Sequence, residues 1–312
     1  MRIEYHRTLI ADKVRNEAFY KALKAVIVPG KTVVADIGAG TGLLGLMASK
    51  LGAKEVYLFE TAEVAGVAAK ILKANNAKNC HLFPCHSTEF QDPPRADVVV
   101  SETLGNYAFE ENMIDTLSDA GKRFLKKSGV IIPSRVTQFA VPVIAPRIDK
   151  ELGAWRAASQ GLDLSIAETM SRNNVYVRTL KPAELLYGGA AAKAWDSIEL
   201  GRDRRSARKG EVNWTIKRNE TIYGFAYWWM ADLVQGVSLS TGPEAPRTHW
   251  EQLYFPLQAP MDLKPGQSVL LSLRSSSSEQ AGTHLAWTAV HFDRGGESLS
   301  RQALDLNKGF LP

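Results

Sequence analysis

The 312-residue sequence predicts an α/β unit built on a doubly wound parallel sheet, followed by an antiparallel β unit of barrel or sandwich type. Three observations predict it. Short apolar runs alternate with helix-like segments up to Ile132, and a glycine-rich turn follows the first such run. Beyond Pro133 the segments become short, strand-like and punctuated by Gly, Pro and Ser. Alternating strands and helices imply parallel strands joined by crossovers, whereas closely spaced strands imply antiparallel pairing.

Between Ala11 and Val28 the apolar residues Val14, Ala18, Leu23 and Val26 recur at helical spacing, and Pro29-Gly30 stops the helix. Thr32–Ile37 reads as the first strand, Leu43–Leu51 as a helix, Glu55–Phe59 as the second strand and Glu63–Asn75 as the next helix. His81–Pro84 is a weak strand and Ala96–Val100 a strong one; Glu111–Leu125 is a helix and Val130–Ile132 another strand. Residues 149–195 are Ala-rich and helical or irregular. Strand patterns then cover Val212–Lys217, Ile222–Met230, Val237–Ser240, Gln252–Leu257, Val269–Leu273 and Leu285–Phe292. Gly242-Pro243, Lys264-Pro265-Gly266 and the Ser275–Ser278 run supply the turns. A boundary near 140 gives units 1–140 and 141–312.

A hydrophobic fraction of 45% and a charged fraction of 23% are those of an ordinary globular protein. No apolar run is long enough for a bilayer-spanning helix, so no membrane partner is expected. Met1–Tyr20 lacks the apolar stretch of a secretory signal, and two cysteines make no disulfide framework, so a cytoplasmic location is expected. The net charge of +5 is modest, and no basic stripe with interleaved aromatics points to nucleic acid. Arg202, Arg204, Arg205, Arg208 and Lys209 read as a solvated loop.

The first strand runs into Asp36-Ile37-Gly38-Ala39-Gly40-Thr41-Gly42. Glycines let the backbone approach a ligand and adopt positive φ. Dinucleotide and S-adenosylmethionine enzymes both use such turns. Two features favour S-adenosyl-L-methionine: the G-x-G-x-G spacing after Asp36, and Glu60 closing the second strand, where a carboxylate can accept both hydroxyls of a free ribose.

The fourth strand ends in Ser101-Glu102, followed by Thr103-Leu104-Gly105-Asn106-Tyr107-Ala108-Phe109-Glu110-Glu111. Carboxyl ends of strands face the ligand crevice in doubly wound folds. Glu102 therefore lies beside the ligand, and Gly105 lets the loop turn back so that Glu111 can return a second carboxylate. Two such groups repel unless a cation lies between them, and a guanidinium fork matches both. Glu111 is also a suitable first-turn acid for the following helix, and Glu110 competes for the second position.

This pattern resembles the protein arginine methyltransferase family, whose double-E loop has the form S-E-x-x-G with the second glutamate nine positions on. Thr248-His249-Trp250 matches the family's T-H-W loop, and His6 and Arg15 match a histidine and arginine at its cofactor site. The matches run from about residue 6 to 145 and from about 211 to 275. The resemblance implies a Rossmann-like unit, a β-barrel substrate unit and a dimerisation arm near 149–195, hence a homodimer. It implies that Arg15 and His6 lie against S-adenosylmethionine, that Asp36, Gly38 and Gly40 line it, that Glu60 takes its ribose, and that Glu89 meets the adenine. Glu102 and Glu111 would hold the arginine of a protein or peptide substrate, His249 would pair with Asp12 over the site, and Met113 and Trp250 would line the substrate pocket.

The implied reaction is an in-line methyl transfer to a delocalised guanidinium of pKa above ~12, which two carboxylates orient and stabilise. The family's aromatic Y-F-x-x-Y segment ahead of His6 is expected to be absent or rebuilt from Tyr5 and elsewhere; Thr103-Leu104 stands where many members carry Trp-Met, and Leu9 where they carry methionine. Two other readings remain: a methyltransferase acting on a small guanidine, metabolite or nucleic acid, and a non-catalytic cofactor-binding scaffold. Cys80-His81 and Cys85-His86 form a compact cluster, but a metal site needs four converging ligands, and buried or partly buried thiols are expected instead. Tyr227-Trp228-Trp229 is expected to pack in a core, and His284 and His291 to be structural.

Overall fold

The computed structural model describes residues 3–157, 160–278 and 280–306; the outer ends of both expected units, Met1 and Pro312, lie outside them. The N-terminal helical segment is two helices, α1 (Ile3–Ala11) and α2 (Lys13–Val26). They part at Asp12, which leaves the helical conformation and accepts the Arg15 N–H as the N-cap of α2, at 2.9 Å.

The first sheet holds β1 (Val33–Ile37), β2 (Glu55–Phe59), β3 (Cys80–Phe83), β4 (Ala96–Ser101) and β5 (Leu125–Ile132), with α3 (Leu43–Lys50), α4 (Ala65–Ala74) and α5 (Met113–Arg123) in the crossovers. All its pairings are parallel and the spatial order is 3-2-1-4-5. Its central strands are almost continuously buried, as parallel strands covered on both faces must be. The order reverses between β1 and β4, where a doubly wound sheet opens a crevice.

Antiparallel pairing begins at β6 (Arg135–Val143). The hand-over thus falls at Ser134, a few residues ahead of the expected boundary at 140. Pro142 disguises this strand, because proline cannot donate to a ladder. Here the β6–β8 pairing ends at Ala140↔Lys193, so the missing N–H falls beyond it. Next come α6 (Arg147–Leu152), α7 (Ala154–Ala157) and α8 (Ser165–Arg172). The strands that follow are β7 (Tyr176–Arg178), β8 (Lys193–Glu199), β9 (Arg208–Thr215), β10 (Glu220–Val234), β11 (Val237–Ser240), β12 (Gln252–Leu263), β13 (Ser268–Ser278), β14 (Gly282–Phe292) and β15 (Ser298–Asp305). One sheet has the order β7-β12-β10-β6-β8 with β11 beside β10, and the other β15-β14-β13-β9.

Between these sheets Phe255 packs on Trp287, ring centroids 5.1 Å apart, and Tyr227 packs on Phe255; all three, like Trp229, are almost fully buried. The α6–α8 segment is pinned by Arg172, whose guanidinium meets Asp149 at 2.6 Å and Glu168 at 2.9 Å, and by β7 pairing with β12. Ser275–Ser278 is strand, not turn, with Ser275 and Ser277 facing inward. Arg208 leaves the expected solvated cluster and binds Asp196 at 2.6 Å, with little of its side chain exposed. The two units meet where α2 packs against β10 and β11.

Candidate functional site

A cavity of about 450 Å³ opens along the carboxyl ends of the parallel strands. It is lined by Asp36–Thr41 from the end of β1 onward, Glu60–Ala62 after β2, Cys85–Ser87 beyond β3, and Glu102 and Thr103 after β4. His6, Leu9 and Arg15 approach from α1 and α2, and Glu111 also lines the cavity. This is the size of a small-ligand site.

The β1–α3 turn needs its glycines. Gly38, Gly40 and Gly42 have φ of +70°, +56° and +81°, a region that side chains with a Cβ disfavour. A Cβ on Gly38 would also come within 2.8 Å of the Thr103 methyl. Two acids brace this turn. Asp36 accepts the Gly45 N–H at 2.8 Å, while Glu60 accepts the N–H groups of Gly40 and Ala62, both at 2.8 Å. Asp36 is fully enclosed, and burial pushes its carboxyl up to about 7.

Glu102 is 4% exposed at its side chain, and one of its carboxylate oxygens, Oε2, accepts both Nε–H (2.6 Å) and Nη2–H of Arg15. Burial raises its pKa in spite of that partner. Glu111 and Asn112 are consecutive left-handed residues with φ of +58° and +53°, and this sharp turn brings Glu111 to the cavity. Burial, then the Glu60 carboxylate, raises the Glu111 pKa. Glu110 points the other way: it accepts the Tyr107 N–H at 3.0 Å and packs under Gly105, where any Cβ would overlap its carboxylate. The structure therefore brings Glu102 and Glu111, not Glu110, to the lining of one cavity.

The intervening loop is fastened to the β unit residue by residue. Trp250 Nε1 donates to the Leu104 carbonyl (2.9 Å) and Trp229 Nε1 to that of Gly105 (3.0 Å). The Glu251 N–H donates to Asn106 Oδ1 (3.0 Å), and Tyr107 Oη bonds Ser275 Oγ. The Ala108 N–H donates to Tyr227 Oη (3.3 Å), and Ser277 Oγ donates to the Phe109 carbonyl (2.5 Å). Tyr227 in turn donates to Gln138 (2.5 Å), which donates to Asp196 (2.9 Å), the partner of Arg208. Over the same region Asp12 Oδ2 accepts the His249 backbone N–H and pairs with His249 Nδ1, both at 2.8 Å. Those bonds, with that from Arg15, hold the Asp12 carboxyl below its ordinary range against the opposing effect of burial, which lowers His249 in its turn. Tyr5 stands edge-on to His249, ring centroids 6.4 Å apart; burial, then the carboxylates of Glu102, Glu110 and Glu111, raise its hydroxyl.

Three expected site residues lie elsewhere. Glu89 is exposed, because the chain beyond β3 makes a 3-10 turn over Ser87–Glu89 that puts Ser87 in the cavity lining instead. Met113 begins α5 with its side chain 1% exposed in the core, since the left-handed pair before it redirects the chain. Trp250 lines a second hollow of about 110 Å³ and not the main cavity, drawn there by its bond to Leu104. His81 pairs with Glu55 at 2.7 Å and His86 with Thr88 at 2.6 Å. Sequence reasoning missed Ser87, Ser275 and Ser277; a serine run without apolar neighbours carries no period that marks an inward face.

A parallel sheet with a glycine-turn cavity at its switch point, fastened to two antiparallel sheets, defines a Rossmann-like unit carrying a β unit. Residues 134–292 match the arginine methyltransferase oligomerization subdomain, and residues 19–151 match the ribosomal protein L11 methyltransferase model. The chain belongs to the protein arginine methyltransferase family. It is 26% identical over 306 residues to protein arginine N-methyltransferase 6 of Xenopus tropicalis, covering 94% of this chain and 89% of that one. It is also 26% identical to protein arginine N-methyltransferase PRMT10 of Arabidopsis thaliana, covering 88% and 81%. Among solved structures, it superposes on the Trypanosoma brucei PRMT1 enzyme-prozyme complex with AdoHcy at a TM-score of 0.86, with 20% identity and coverage of 97% and 98%. With the open-conformation Arabidopsis thaliana protein arginine methyltransferase 10 the TM-score is 0.79, with 21% identity and 98% of both chains covered.

Proposed function

We propose that this chain transfers methyl groups from S-adenosyl-L-methionine to guanidino nitrogens of arginine in proteins or peptides. The observation that carries the reading is that Glu102 and Glu111 line the same cavity, with a guanidinium, that of Arg15, already bonded to Glu102. The cavity residues fit the cofactor. The glycine turn leaves room for close backbone approach, Glu60 is held with its carboxylate at the cavity, and His6 Nε2 is buried with no hydrogen-bond partner among the described residues.

When bound, the cofactor supplies an electrophilic methyl on a sulfonium. Glu60 would accept the ribose hydroxyls, Arg15 would bind the methionine carboxylate, and Asp36, Gly38, Gly40 and His6 would line the ligand. Glu102 and Glu111 would hold the acceptor guanidinium in line with the methyl and draw its positive charge away from the attacking nitrogen. Their raised pKa values place them nearer the range in which a carboxylate takes up the proton that the methylated nitrogen releases. Asp12, His249 and Trp250 brace the loops that aim the pair.

The 134–292 match is to an oligomerization subdomain, and Leu162 and Ile166 are 69% and 67% exposed in and beside α8. Apolar residues so exposed favour a homodimer in which this arm covers the α/β unit of a second copy.

Mass spectrometry of arginine-rich peptides incubated with protein and S-adenosylmethionine tests the activity, a gain of one or two methyl masses being expected. Glu111→Gln should lower turnover by about two orders of magnitude or more while leaving cofactor affinity within a fewfold. Undiminished turnover in that variant would remove Glu111 from the mechanism.

A further inference from the structure

The two acids of the cavity are held by different means. Glu102 is fixed through its own carboxylate: Oε2 accepts from Arg15, and Oε1 accepts the Leu104 N–H at 3.3 Å. The Glu111 carboxylate has no hydrogen-bond partner among the described residues. Where it points is set by its backbone, and the left-handed pair Glu111–Asn112 is a conformation that residues with a Cβ disfavour. Such a turn keeps its shape only when the chain on both sides is held. Downstream, α5 is anchored by Met113 and Ile114, each 1% exposed. Upstream, the anchor is β13.

Along β13 the inward positions run Val269, Leu271, Leu273, Ser275 and Ser277, all buried. The apolar face gives way to hydroxyls where Tyr107–Phe109 docks on it. Ser277 lies nearest the acid. Its Oγ donates to the Phe109 carbonyl at 2.5 Å, two residues ahead of Glu111, and meets Thr283 Oγ1, its cross-strand partner on β14, at 2.7 Å. A hydroxyl has one proton, so giving it to Phe109 makes Thr283 the donor of the second bond. Ser277 and Thr283 line neither the main cavity nor the smaller hollow. We propose that Ser277 is a positioning residue for the transfer: its hydroxyl, set by Thr283, fixes the Phe109 carbonyl and thereby aims Glu111, while Glu102 is aimed independently. This rests on the function proposed above.

Turnover of an arginine-rich peptide tests it, measured on the full chain for wild type, Ser277→Ala, Thr283→Val, Glu111→Gln and each of the first two variants combined with Glu111→Gln. Ser277→Ala should lower kcat about ten- to a hundredfold, with the dissociation constant of S-adenosylhomocysteine within twofold of wild type. Thr283→Val leaves in place every atom that touches the loop and should lower kcat about three- to tenfold. In the Glu111→Gln background either change should cost less than twofold more, because the group it aims is already disabled. If Ser277→Ala loses cofactor affinity, Thr283→Val carries the same comparison. A kcat within twofold of wild type in the variant that keeps its cofactor affinity would overturn the assignment. So would an equal proportional loss with Glu111 present and replaced. In either case the methyltransferase reading stands, whereas a wild type that methylates no arginine peptide would remove both.

Discussion

Asp36 is the buried acid whose ionisation should be most visible in the stability of the protein. It is 1% exposed at the end of β1, its carboxylate accepts the Gly45 N–H, and Glu60 and Glu102 lie near enough to oppose its charge. Burial moves its carboxyl from an ordinary 3.8 up to about 7. Between those values the folded protein keeps a proton that the unfolded chain has released, so stability falls as pH rises, by about 1.4 kcal/mol per pH unit. Below 3.8 the contribution is fully present; above about 7 it is lost. Across the window the loss reaches about 4 kcal/mol. Asp36→Asn removes the charge yet keeps an oxygen for Gly45. The variant should match wild type near pH 4 and exceed it by up to about 4 kcal/mol at pH 8. Urea unfolding of both proteins from pH 4 to 8 reads this directly, since most other titrating groups cancel in the difference. A difference that stays flat with pH would show that Asp36 ionises like an exposed acid, and the reasoning from burial would fall.

Other expectations follow from the same geometry. Glu102 and Glu111 act as carboxylates and both lie above the ordinary 4.5, so kcat/KM should rise with pH through an acid limb above that value; a limb at or below 4.5 would count against their shared role. Trp250→Phe strands the buried Leu104 carbonyl and should cost about 1–3 kcal/mol in unfolding experiments, with kcat falling more than cofactor affinity; an affinity loss as large as the kcat loss would contradict the placement of Trp250 away from the cofactor. Replacing Leu162 and Ile166 together by glutamate should convert a dimer to a monomer in micromolar light scattering, and a wild-type monomer would end the arm proposal.

Much of the α/β unit was legible because its signals are local. Glu55–Phe59 is an uninterrupted apolar-rich run and coincides with β2, and the glycine turn needs no tertiary information to be seen. Long-range features were not local. Asp12 and His249 are 237 positions apart, and only the family resemblance joins them. The strand β6 was hidden by Pro142, and β15 by an exposed, charged edge with Leu304 as its one buried residue. Ser275 and Ser277 read as turn because polar residues with inward partners look like polar residues facing water. Glu89 and Met113 went astray for another reason. A turn of one or two residues decides which side chain faces a cavity, and spacing does not record it.

The hydrogen-bonded chain from Ala108 through Tyr227, Gln138 and Asp196 to Arg208 gives the acidic loop a mechanical foundation in the other half of the molecule. Severing the polypeptide at Ser134 would therefore leave a fragment with its nucleoside cradle but with the glutamates untethered. By the same token, a lesion at Gln138 or Arg208 would masquerade genetically as an active-site defect, though neither side chain lines the main cavity.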